Sequence, residues 1–127
     1  MRSLAGKTVQ FLGRVSDKKL PAIFAGAKGM IYPALQEDFG MAPVEAMAHG
    51  VPVIAHRSGG VVESVVDGKT GIFFDNWTVS GVVEGIKKFE QKNFSAVACR
   101  KQAKKFSAST FNKQFLRLIK NMTVERK

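Results

Sequence analysis

Two carboxylates, Glu37 and Glu45, stand eight positions apart in the stretch PALQEDFGMAPVEAMAHG, residues 33–50, on either side of Asp-Phe-Gly. A carboxylate can accept two hydrogen bonds from a vicinal diol, which makes glutamate a natural reader of ribose or hexose hydroxyls. Between the two, Gly40 lets the backbone approach a ligand closely. The N–H groups of Phe39, Gly40 and Met41 lie just ahead of a helix, where they can donate to an anion or to sugar hydroxyls. The pattern predicts that helix from about Pro43 to His49, with proline suited to the first turn and Gly50 as the stop. Glu37 then falls on a loop and Glu45 within the first helical turns. Each has a plainer explanation too: Glu37 as a surface acid, Glu45 as a carboxylate favoured by the helix macrodipole.

The elements that must position this stretch read as alternating strands and helices. Short apolar runs predict strands near 9–12, 29–32, 51–55 and 72–74. Ser16 is a helix N-cap candidate, with Asp17 in the first turn and Leu20, Ile23, Phe24 and Ala27 on one face. From Thr78 the pattern is helical only, to about 122, and its last segment presents Phe111, Phe115, Leu118 and Met122 as one stripe. Continuous apolar strands alternating with helices predict an α/β fold: a parallel sheet of about four strands flanked by helices, with a helical C-terminus, in one domain over 1–127. In such sheets ligands bind beyond the carboxyl ends of strands, which is where PALQEDFGMA lies.

A length of 127 residues suits a single domain with a modest core. No segment approaches the roughly 18 consecutive apolar residues of a membrane span. The N-terminal MRSLAGKTVQ does not read as a secretory signal, and Cys99 has no partner for an intramolecular bridge, so a reducing, cytoplasmic setting is expected. The formal charge of +10 favours phosphate-bearing partners. From Lys87 to the end there are twelve Lys or Arg against two acids, Glu90 and Glu125. Either this is a solvated basic face, or it places the C-terminal helices at an anionic membrane surface, peripheral to its inner face. One Trp, one Tyr and no nucleic-acid-reading motif argue against a nucleic-acid partner. His49 and His56 lack Asp or Cys at ligand spacing, so no metal site is expected. His49, just before the helix stop, reads as a partner for the helix C-terminus.

The blocks EDFGMAPVEAMAHGVPVIA, SGGVVE and DGKTG, with VQFLGRVSDKKL upstream, resemble the donor-binding C-terminal half of the family-four retaining glycosyltransferases of GT-B fold, glycosyl transferases group 1. The resemblance runs from residue 8 to about 120. It implies a partial Rossmann-like domain and transfer of a hexosyl group from a nucleotide diphosphate sugar, with retention, to a saccharide or lipid-linked acceptor. Under it Glu45 corresponds to the glutamate on the ribose hydroxyls and Glu37 to the one near the transferred sugar, the catalytic candidate. Phe39, Gly40 and Met41 would hold sugar hydroxyls and the diphosphate through their N–H groups, and Gly59 and Gly60 would shape the loop before the next short helix. Val15 and Asp17 would lie against the nucleobase, where Asp17 could accept from guanine if the donor is GDP-mannose; a first-turn charge explains Asp17 equally well. The resemblance implies no cofactor beyond the donor and no bound metal.

Relative to the family's pattern, two strand–helix units are missing, and with them the Gly-Arg strand end and downstream Lys that contact the diphosphate. The acceptor-binding N-terminal domain is missing as well. The chain alone is therefore expected to be inactive, awaiting that domain or a partner chain. The family's strand order, 3-2-1-4-5-6, would leave a gap between VQFLG and GMIYP, to be met by a rearranged four-strand sheet, by cover from another chain, or by marginal stability. The Phe111–Met122 stripe, left without its partner surface, would invite self-association into a homo-oligomer. The reading from a different class is a non-catalytic module that binds nucleotides or other anions.

Overall fold

The computed structural model of the chain describes residues 2–125. Its centre is a three-stranded parallel sheet in the order β1-β2-β3, formed by β1 (Met30–Tyr32), β2 (Val53–His56) and β3 (Gly71–Phe74). Ile54 lies beside Ile31 on one side and Ile72 on the other, which fixes the register. Every residue of β2 and β3 is buried, whereas Ile31 of β1 is 46% exposed. β1 and β3 are both edge strands, so the contrast lies in cover: the helix Val79–Glu90 packs over β2 and β3.

The helices are α1 (Leu20–Ala25), α2 (Met41–Ala48), α3 (Val61–Ser64), α4 (Val79–Glu90), α5 (Ala96–Lys104) and α6 (Ala108–Val124). Successive strand residues point to opposite faces. Val53, Ala55 and Phe73 join Val44, Ala46, Met47, Cys99 and Ala103 in one core cluster, so α2 and α5 cover that face. Ile54 and Phe74 point the other way, where Gly85 of α4 approaches them. The three long C-terminal helices begin on hydroxyl caps: Thr78, Ser95 and Ser107 accept from the N–H of Gly81, Ala98 and Thr110. Each cap satisfies a donor that the first helical turn leaves unpaired. Gln102 is buried and donates to the Ser64 carbonyl at 2.9 Å, tying α5 to the end of α3. Burial pushes the Cys99 thiol up from its ordinary value.

Three expectations are corrected here. Residues 9–12 form no strand, and Val9, Phe11 and Leu12 are about half exposed. A short strand is held by its ladder, and the segment has none, so the four-stranded sheet is a three-stranded one. Ser16 does not cap α1 with its side chain. Its carbonyl accepts from Lys19 and Leu20, a turn holds Asp17, and the helix starts only at Leu20 with Pro21 in its first turn. Finally, α2 begins at Met41 rather than Pro43, which places Glu45 beyond the first turn, where the dipole explanation for a carboxylate loses its force. His49 does serve the end of α2: its Nδ1 lies 2.8 Å from the Glu45 carbonyl, and its ring stacks on Phe24 at 5.1 Å.

Candidate functional site

The chain leaves the carboxyl end of β1 at Tyr32 and runs through residues 33–40 into α2. This loop is held at several points. Trp77 donates its indole N–H to the Pro33 carbonyl at 2.7 Å. Gln36 takes a left-handed backbone, φ 54°, uncommon for a residue with a Cβ, and its N–H approaches Ser58 Oγ at 3.5 Å. Gly60 donates to the Glu37 carbonyl at 2.8 Å. A Cβ at Gly59 would stand 2.2 Å from that same carbonyl, and one at Gly60 would stand 2.2 Å from the Asp38 carbonyl. Only glycine lets the two loops meet so closely.

The far end of the loop is buried. Phe39 packs its ring on Phe106 at 5.5 Å, so what it offers a ligand is its backbone, not its ring. Gly40 is buried with φ 77°, and the Tyr32 hydroxyl lies 3.2 Å from where its Cβ would be. Burial, and after it the nearby Glu37 carboxylate, push the Tyr32 phenol up to about 12. Among the described residues, the N–H groups of Phe39, Gly40 and Met41 have no hydrogen-bond acceptor. Three successive donors thus stand free at the positive end of α2, beyond the carboxyl end of a parallel strand, where backbone N–H groups can donate to an anion or to hydroxyls.

Glu37 is exposed on this loop, and Glu45 is exposed on α2, where it lines a groove of ≈270 Å³ with Val44, Ala48, Arg100, Lys104 and Phe106. The structure thus brings Glu37, Phe39, Gly40 and Met41 together at the loop and carries Glu45 on the helix that follows. Val15 and Asp17 sit in the irregular segment before α1, and no hydrogen bond among the described residues ties them to the loop. A larger cleft of ≈490 Å³, lined by Arg57, Asp67, Asp75, Lys88 and Lys92 among others, includes none of the loop residues. Its cations are largely occupied. Arg57 pairs with Asp67 and Asp75, both at 2.9 Å, and Lys88 with Glu84 at 2.9 Å. Pairing with Asp67, opposed by partial burial and reinforced by Asp75, raises the Arg57 guanidinium above its ordinary value. Arg57 thus already faces two carboxylates.

Sequence reasoning missed Tyr32 and Ser58 as parts of this arrangement. Tyr32 was legible as the last residue of a strand, and Ser58 as a hydroxyl beside two glycines; neither signal says what it touches.

Residues 3–106 match the family model described as Glycosyl transferases group 1. The chain belongs to this family. The "Alpha-1,3/1,6-mannosyltransferase ALG2" of Homo sapiens is 34% identical to this glycosyl transferases group 1 chain over 124 residues, covering 94% of the chain and 30% of that protein. An "Uncharacterized 41.2 kDa protein in cps region" of Klebsiella pneumoniae is 32% identical over 118 residues, covering 91% of the chain and 33% of that protein. A sucrose-phosphate synthase from Thermosynechococcus elongatus superposes with a TM-score of 0.78 at 23% identity, over 94% of this chain and 31% of that one, and this likeness shows the GT-B type fold. The group 1 chain spans about a third of the length of these relatives. No helix among its described residues is long and apolar enough to cross a membrane.

Proposed function

We propose that this chain is the donor-binding portion of a glycosyltransferase that moves a hexosyl group, with retention, from a nucleotide diphosphate sugar to a saccharide or lipid-linked acceptor. The observation that carries the reading is the row of unpaired N–H groups at Phe39, Gly40 and Met41, set between Glu37 and Glu45 at the C-terminal edge of the sheet. Charge develops on the departing diphosphate during transfer, and fixed backbone donors stabilise such charge without reorganising. Glu37 stands at the transferred sugar as the catalytic candidate. Glu45 accepts from the ribose hydroxyls, with Arg100 and Lys104 along the same groove to attract the phosphates. Val15 and Asp17 lie toward the base. The mannosyltransferase named among the relatives supports a mannosyl group as the one transferred, and the donor we assign to it is GDP-mannose.

The acceptor is bound by a domain beyond this chain or by a partner chain, and the chain alone turns nothing over, because the acceptor surface and the cationic clamp on the diphosphate come from there. We place the whole enzyme in the cytoplasm, in polysaccharide or lipid-linked sugar synthesis, with Lys113, Arg117 and Lys120 of α6 toward an anionic membrane face. The exposed stripe of the same helix also supports self-association of the isolated chain.

The test is a titration with UDP, GDP and ADP followed by melting temperature. One nucleotide raises the midpoint above the other two, and Glu45→Ala removes the rise. If none of the three changes the midpoint at millimolar concentration, the donor-binding reading fails for this chain.

A further inference from the structure

Beyond the loop itself, the end of β2 holds a set of contacts that the donor chemistry does not use. His56 is buried, 7% exposed, with its ring tilted against Phe74 at 5.5 Å. Its Nε2 lies 3.0 Å from the Asp75 carbonyl, and its Nδ1 lies 2.8 Å from Ser58 Oγ. A carbonyl only accepts, so Nε2 carries the ring hydrogen and, in the neutral ring, Nδ1 accepts from the Ser58 hydroxyl. With its proton directed at His56, Ser58 turns its lone pairs toward the N–H of Gln36 at 3.5 Å. Gln36 is the residue of the loop with the left-handed backbone, and the next residue is Glu37. Two positions along from Ser58, Gly60 grips the Glu37 carbonyl at 2.8 Å. Donor and acceptor roles therefore run in one direction from Gln36 through Ser58 and His56 to Asp75.

We propose that His56 is a positioning residue for the Glu37 loop, acting through Ser58 to hold Gln36 in its left-handed conformation and so to set where Glu37 and the free N–H groups after it point. Burial suits the role, since a side chain held on both ring nitrogens and against Phe74 has little freedom to release its partner. The inference rests on the donor-binding reading for its functional meaning, but the positioning itself can be read without any ligand.

The test is amide hydrogen exchange in the full 127-residue chain, comparing His56→Asn, His56→Gln and Ser58→Ala with the parent. Asparagine places an acceptor where Nδ1 stood and keeps the contact to Ser58; glutamine reaches the Asp75 carbonyl but leaves Ser58 without an acceptor. Ser58→Ala and His56→Gln each speed exchange at Gln36 and Gly60 by about fivefold, the loss expected for one hydrogen bond, while amides of β2 and β3 hold their rates. His56→Asn stays within about twofold of the parent, and His56→Gln combined with Ser58→Ala is no worse than either alone. In parallel, affinity for UDP or GDP, whichever stabilises the parent more, falls in the same two variants and is rescued in His56→Asn. A parent that binds neither nucleotide overturns the donor reading and leaves the exchange result to decide the positioning. Unchanged exchange at Gln36 and Gly60 in Ser58→Ala, or equal acceleration everywhere in all three variants, overturns the positioning role.

Discussion

Between Met41 and Phe106, Met47, Val53, Ala55 and Cys99 have lost essentially all contact with water, while outside it Leu12 and Phe115 keep about half their surface exposed at 52% and 50%. All six residues are apolar and stand in segments whose patterns predict regular structure. The difference lies in what surrounds them. The central segment holds β2, β3 and the helices that cover the two faces of the sheet. The segment at 9–12 has no ladder to join, and α6 presents Phe111, Phe115, Leu118 and Met122 to solvent although its helix is well formed and capped by Ser107. An apolar pattern specifies an element's face; burial additionally needs a surface for that face to meet.

The largest expected effect lies in the centre. Met47→Ala should lower stability by roughly 2–5 kcal/mol in urea denaturation, the range for truncating a fully buried side chain. Next, Gly60→Ala should cost about 1–3 kcal/mol, because its new Cβ meets backbone rather than a movable side chain. It should also displace the Glu37 loop and weaken any nucleotide-induced rise in melting temperature. Thr78→Ala, which removes the cap of α4, should cost about 1 kcal/mol.

Tyr32 gives a finer reading. It is the single tyrosine of the chain, so phenolate absorbance reports it alone. Its titration should centre at about 12, and Glu37→Gln should move it part of the way toward the ordinary value of about 10, since burial is the larger cause. The folded value lies above the unfolded one. The contribution of this group to stability is therefore complete below about pH 10 and is lost as pH rises from there toward 12. The smallest effects belong at the ends: Leu12→Ala and Phe115→Ala should each stay within about 0.5 kcal/mol of the parent. A cost at either end equal to that of Met47→Ala would show that these exposed segments are packed as tightly as the core.

The order of elements was legible from sequence because β2 and β3 are continuous apolar runs bounded by turns, and because the later helices announce themselves by hydroxyl caps and apolar spacing. That residues 9–12 form no strand was not legible, since local pattern cannot say whether a pairing neighbour is present. The start of α2 shifted by two residues because Pro43 is tolerated anywhere in a first turn, so it marks that turn and not its first residue. At the site, residue types and spacing indicated Glu37, Glu45 and the backbone donors between them. The grip of Gly59 and Gly60 on residues 37–39, and the path from Gln36 through Ser58 to His56, join segments about twenty positions apart and become visible only once the strands are side by side.

We place the nucleotide-sugar site at the Glu37 loop and the start of α2, rather than in the larger cleft around Arg57. Backbone amide chemical shifts, followed while GDP or UDP is added to the isotope-labelled chain, distinguish the two places. Progressive, saturable shifts at Phe39, Gly40, Met41 and Glu45, with Lys88 and Lys92 unmoved, are the predicted result. Shifts centred on Asp67, Lys88 and Lys92, with residues 39–41 unmoved, would contradict it.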